Sequence, residues 1–162
     1  QIWKDETKER YKYLPELIRT VVELDPYFFT PYIIGGLLIS MKAGRPNESI
    51  DILKNGQLYF PDAWQINYLL GYNYFFYLND STNAVNNFML AAKYPECPRP
   101  VRNIAVGILL NSGRRSVAIE FINSIKEQAQ DEKFREEMEK ILEELAKTPA
   151  DSTSISKGSA LF

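Results

Sequence analysis

The sequence contains no histidine and one cysteine, Cys97. Histidine is the usual general base near neutral pH, a common metal ligand and the usual pH switch, so its absence removes all three together. One cysteine allows no disulfide and no CxxC pair within the chain, and without histidine there is no Cys–His nucleophile. Cys97 sits in a proline-rich turn with no activating neighbour in the sequence and reads as a bystander. Phosphate-loop, Gly-x-Ser-x-Gly and His-Glu-x-x-His patterns are also missing. Gly35-Gly36 falls inside a helical pattern and reads as a packing pair. No cofactor or metal site is expected, and the acidic residues, mostly in turns and in the last helical segment, read as solvated surface.

A dominant charge is lacking too. The net charge of −2 gives no global attraction to nucleic acid. Arg99, Arg102, Arg114 and Arg115 cluster at turns and a helix start rather than along a stripe of several units, and read as a solvated edge. The uncharged run 26–41 is interrupted by Pro26 and Pro31 and is shorter than the roughly 20 apolar residues of a spanning helix. It reads as a buried helix, and no membrane span is expected in this chain. The start at Gln1 reads as a fragment or a trimmed form, with any anchor upstream. A lone cysteine suits cytoplasm and periplasm equally.

What the chain does have is apolar and aromatic content: 45% hydrophobic over 162 residues, enough for one domain with a core. Its centre is 62–78, DAWQINYLLGYNYFFYL. Asp62 after Pro61 is the expected N-cap, no further charge follows, and seven residues are aromatic. Wound at 3.6 residues per turn, Asn67, Leu70, Gly71, Tyr74 and Leu78 share one face. Gln65, Tyr68, Tyr72, Phe75 and Phe76 share another. A helix apolar nearly all round is either buried between others or lines a groove that something else fills.

The pattern repeats. Prolines 26, 61 and 95 follow helical segments at intervals of 35 and 34 residues. Before them stand Leu14, Ile18 and Val21, then Ser49, Leu53 and Gly56, then Ala84, Phe88 and Ala91. Ala118, Ile122 and Ile125 keep the spacing, with Gln130 in place of proline. The helices preceding the last three sets carry Gly36, Gly71 and Gly107 about midway, and polar turns follow at 43–45, 78–80 and 112–114. Helices are expected at 11–24, 28–43, 47–59, 62–78, 81–94, 98–112, 115–129 and 131–147. The last has Phe134, Met138, Ile141, Leu142 and Leu145 on one face. Residues 1–7, with Trp3, read as the remnant of an earlier helix.

Leu70-Gly71 with Tyr74, Ala84, Phe88, Ala91 and Pro95, and Val106-Gly107 with Leu110, Gly113 and Ala118, resemble the tetratricopeptide repeat, a helix–turn–helix unit of about 34 residues. The resemblance covers about residues 8–130. Tyr32, Asn67 and Asn103 stand where that repeat has tryptophan, and Ser49 and Gly56 where it has alanines. It implies an all-α fold: a right-handed α-solenoid of antiparallel helix pairs, about three and a half repeats over 1–147 with a C-terminal capping helix, followed by a polar tail at 148–162. It further implies that first helices line a concave groove, here Ile33, Leu37 and Met41, then Gln65, Tyr68, Tyr72, Phe75 and Phe76, then Ile104, Ile108 and Asn111. The expected function is a non-catalytic, bacterial-type scaffold binding a protein or peptide partner. A self-associating module, giving a homo-oligomer, and an accessory domain of a larger or membrane-anchored protein are the alternatives. The same aromatic face buried as core remains the bland reading.

Overall fold

A computed structural model describes residues 9–94, 96–111 and 113–147. The expected helix remnant with Trp3 and the expected tail at 148–162 lie outside the described residues. Those residues form eight helices and no strand. The chain divides into two compact units, Gln1–Asn87 and Phe88–Phe162.

The first unit opens with α1 (Leu14–Leu24), with Pro15 tolerated in its first turn. Next comes α2 (31–43), expected as a plain α-helix. It is instead π-wound over Pro31–Gly35 and Ile39–Ala43, with one α turn at Gly36–Leu38 between. Then follow α3 (Pro46–Tyr59) and α4 (Trp64–Phe76). α5 (Ser81–Ala92) carries the boundary between the units. The second unit continues with α6 (Arg99–Asn111), α7 (Arg115–Gln128) and α8 (Glu132–Lys147).

The connections recur with the period of the prolines. The N–H groups of Phe28, Ala63 and Cys97 donate to the carbonyls of Asp25, Phe60 and Tyr94 at 3.0–3.1 Å, closing a turn each time at intervals of 35 and 34 residues. Pro26 and Pro61 occupy the second position of their turns, where a fixed φ is favourable. A second series has the same period. Gly44, Asn79 and Gly113 are the described residues with positive φ, at 67°, 53° and 71°. This is the left-handed region that glycine, and next asparagine, enters at least cost. After each, the carbonyl of Arg45, Asp80 or Arg114 accepts from Ser49, Ala84 or Ala118 and starts the next helix. Asp62 is not the cap of α4: Ala63 holds that position, and Asp62 lies in the preceding turn.

In the first unit α1 packs on the start of α2, α2 on α3, and α3 on α4. Ile50, Leu53, Ile66, Leu69 and Leu70 form one buried cluster. Val22, Tyr32, Ile39 and Ile52 form another, with Leu14 and Ile18 against it. Val22 rather than the expected Val21 is buried on α1, and Val21 faces solvent. Gly56 and Ser49 of α3 each have a packing role. Tyr32 is fully buried, and a Cβ at Gly56 would stand 2.8 Å from its ring. The Ser49 hydroxyl donates to the Gly36 carbonyl at 2.6 Å and accepts from Asn73 Nδ2 at 3.1 Å. Asn73 Nδ2 also donates to the Leu69 carbonyl at 2.9 Å, and Ser40 Oγ donates to Asn73 Oδ1. This buried network ties α2, α3 and α4 together. Midway along α2, a Cβ at Gly36 would meet the Leu53 side chain of α3 at 2.9 Å, so the two helices approach closely there. A Cβ at Gly107 would meet nothing within 4 Å.

In the second unit α6 packs on α7, and α7 on α8. Phe134, Met138 and Leu145 of α8 are buried, while Ile141 and Leu142 are half-buried. The expected solvated basic edge fails at two of its four residues, Arg102 and Arg99. Arg102 is only 5% exposed and donates to the Tyr94 carbonyl at 3.0 Å. Arg99 is bonded to Asp131 at 2.8 Å and Glu137 at 2.7 Å. Both guanidinium groups lie over the Phe134 ring, at 5.5 and 5.7 Å. Arg99 and Arg102 are thus structural: they join α6 to α8.

Candidate functional site

α4 carries no charged residue, so nothing in its composition assigns one face to water. Packing decides instead. Ile66, Leu69 and Leu70 enter the core, and Asn67 and Asn73 are buried with their amides bonded. On the other side Trp64, Tyr68, Tyr72 and Phe76 recur every four residues. Side chains at that spacing lie over one another on a helix surface. Their ring centroids are 6.5, 6.4 and 4.6 Å apart in succession. Phe75 meets Phe76 edge-on at 4.9 Å, and Tyr77 meets Tyr72 at 6.0 Å.

This ladder changes character along its length. Tyr68 packs against the buried cluster of Ile50, Leu53, Ile66, Leu69 and Leu70, as do Ile33 and Leu37 of α2. Tyr72, Phe75 and Gln65 are half-buried. Phe76 is 57% exposed, and Met41 at the end of α2 is 50% exposed. Ile33, Leu37 and Tyr68 therefore act partly as core, whereas the Phe76 end of the ladder is open. Ile108 and Asn111 belong to the second unit, where Ile108 is buried and Asn111 exposed; Ile104 there is half-buried.

Two aromatic residues at this face, Trp64 of the ladder and Tyr77 beside it, were not among those expected. Trp64 continues the spacing of Tyr68 and Tyr72 one turn back, a signal present in the sequence. Tyr77 follows α4 and leaves no periodic trace, because the helix has ended at Phe76. Burial raises the phenols of Tyr68 and Tyr77 above their ordinary range, and the neighbouring Tyr72 raises both further. They stay neutral at pH 7 and can donate or accept hydrogen bonds at the margin of an apolar strip. The strip offers ring faces and edges to apolar groups, with no fixed charge.

Other chemistry has less footing. Burial pushes the Cys97 thiol up to about 11, against an opposing pull from Arg102. Among the described residues no group of three or more Cys, Asp or Glu could hold a metal ion. Nor is any described helix long and apolar enough to cross a membrane. Set against family models, curated proteins and solved structures, the chain gives no match in any of the three comparisons.

Proposed function

We propose that the chain is a non-catalytic scaffold that binds an extended peptide or a partner helix along the aromatic face of α4. The observation that carries this is the ladder Trp64, Tyr68, Tyr72 and Phe76, half-buried over its first three rings and 57% exposed at Phe76, on a helix without charge. Large rings that keep part of their surface in water gain by covering an apolar partner, and Tyr and Trp lose little entropy in doing so. The proposed architecture is a right-handed α-solenoid of tetratricopeptide-like antiparallel pairs, with α8 as its cap. It is supported by the two series of turn hydrogen bonds that recur at 35 and 34 residues. The absence of histidine and the raised Cys97 thiol favour binding over catalysis.

Selection from a displayed peptide library tests this reading. Peptides with two or more apolar anchors should be enriched by the wild-type chain. Their binding should weaken at least tenfold, about 1.4 kcal/mol, with Tyr72→Ala or Phe76→Ala. Leu58→Ala, an exposed apolar residue on α3, should leave them bound. Peptides equally well held by all three variants would place the binding face elsewhere.

A further inference from the structure

The polar groups on the ladder face of α4 are mostly of one kind. Trp64 has an indole N–H, which only donates. Tyr72 has a phenolic hydroxyl whose oxygen lone pairs are drawn into the ring, so it donates better than it accepts. Acceptors are scarce beside them. Gln65 brings an amide carbonyl, but Asn67 and Asn73 are buried with their amides bonded, and the helix has no carboxylate. The backbone of Trp64–Phe76 is spent on its own helix. A ligand that covers this face has to bring acceptors and few donors, because a buried polar group without a partner is costly.

The conformations open to a peptide differ in this respect. A partner helix has used its carbonyls within itself, so it would cover the Trp64 and Tyr72 donors with nothing to accept from them. A β-like strand brings an N–H for every carbonyl, and a helix has no sheet edge to pair with it. A polyproline II segment leaves its carbonyls unbonded, and each proline lacks the N–H. Its pyrrolidine rings are apolar surfaces for the aromatic rungs, and its backbone is ordered before it binds. The lengths agree as well. Trp64 to Phe76 is a rise of about 18 Å along α4, and six polyproline II residues at about 3.1 Å each cover the same distance. From Asn55 to Ala92 the sequence has no lysine or arginine, and its charged residues are Asp62 and Asp80, so nothing nearby in the chain favours an acidic ligand.

We infer that the ligand of the α4 face, on the binding role proposed for that face, is a proline-rich segment in the polyproline II conformation. Its rings stack on the rungs, and its carbonyls accept from Trp64 and Tyr72. The probe is a hexaproline peptide capped at both ends, titrated into nitrogen-15-labelled chain while the Trp64 indole N–H signal is followed. Trp3→Phe removes the other tryptophan and assigns that signal. The signal should move and saturate. Trp64→Phe and Tyr72→Phe each keep an aromatic ring and remove a donor, so each should weaken hexaproline binding roughly three- to tenfold with unchanged circular dichroism. Hexaproline should also displace the library peptides that need Phe76. No saturable shift, or wild-type affinity in both donor variants, would overturn the inference. Library peptides lost with Phe76→Ala, yet free of proline and undisturbed by hexaproline, would overturn the polyproline assignment and leave the α4 face standing. Library peptides indifferent to Phe76→Ala would remove the face itself, and the inference with it.

Discussion

Replacing Gly56 by alanine sets two effects of known sign against each other. In the interior of a helix, alanine is more favourable than glycine by about 1 kcal/mol. Alanine is also what the resemblance to the tetratricopeptide repeat asks for at this position. The structure opposes it. The new Cβ would stand 2.8 Å from Tyr32 Cδ1, 3.0 Å from its Cγ and 3.1 Å from Ile66 Cδ1. Tyr32 has little room to retreat: its hydroxyl donates to the Pro26 carbonyl at 3.2 Å, and its ring packs edge-on against Phe60 at 5.8 Å. Overpacking of this kind costs about 1–3 kcal/mol, so the net effect expected of Gly56→Ala is a loss of up to about 2 kcal/mol. For a chain of this size that lowers Tm by up to roughly 8 °C. A thermal melt with a urea titration measures it, and a double-mutant cycle identifies the cause. In a Tyr32→Leu background the two contacts with the ring are gone and only that with Ile66 Cδ1 remains, so Gly56→Ala should cost less than in the native background. A native-background Gly56→Ala protein melting above wild type would refute the packing of Tyr32 on α3.

Other consequences follow from buried polar and titrating groups. Asn73→Ala leaves Ser40 without its acceptor and should cost about 2–3 kcal/mol in denaturant titration, part of which Ser40→Ala should restore. Tyr32, Tyr68 and Tyr77 all have phenols raised mainly by burial. The unfolded chain therefore gives up these protons first as pH rises, so stability should hold below about pH 10 and fall above it. Urea midpoints from pH 8 to 11 read this, and a flat profile would contradict it. With its thiol pushed up to about 11, Cys97 should react slowly with iodoacetamide at pH 8 in the folded protein and rapidly in urea.

Helix positions were legible in the sequence because glycine, proline and apolar spacing all mark them locally. The expected segments 47–59 and 115–129 differ from α3 and α7 by one residue at an end. The turns were legible for the same reason, since Gly44 and Gly113 announce a positive φ. What escaped depends on contacts distant in sequence. Val22 rather than Val21 is buried because Tyr32, Ile39 and Ile52 gather around it, and no period within α1 reveals that. The π winding of α2 accompanies its packing between α1 and α3, with Ile18 against Gly35 and Leu53 against Gly36, and leaves no signature in PYIIGGLLISMKA. Arg102 looked like surface until Phe134, 32 residues on, supplied a ring to cover it. On α4 the aromatic spacing was plain, but how deeply each ring sinks was not. Tyr68, like Ile33 and Leu37, packs against the buried cluster around Leu53 and Ile66, whereas Phe76 is left open.

Phe76→Ala tests the central claim most directly, because it separates a ring kept for a partner from a ring kept for the fold. If the ring serves a partner, the variant's thermal melt stays within about 1 kcal/mol of wild type, while affinity for a selected apolar peptide falls tenfold or more. A loss of about 3–5 kcal/mol in stability, as for a phenylalanine truncated inside a packed core, would contradict it.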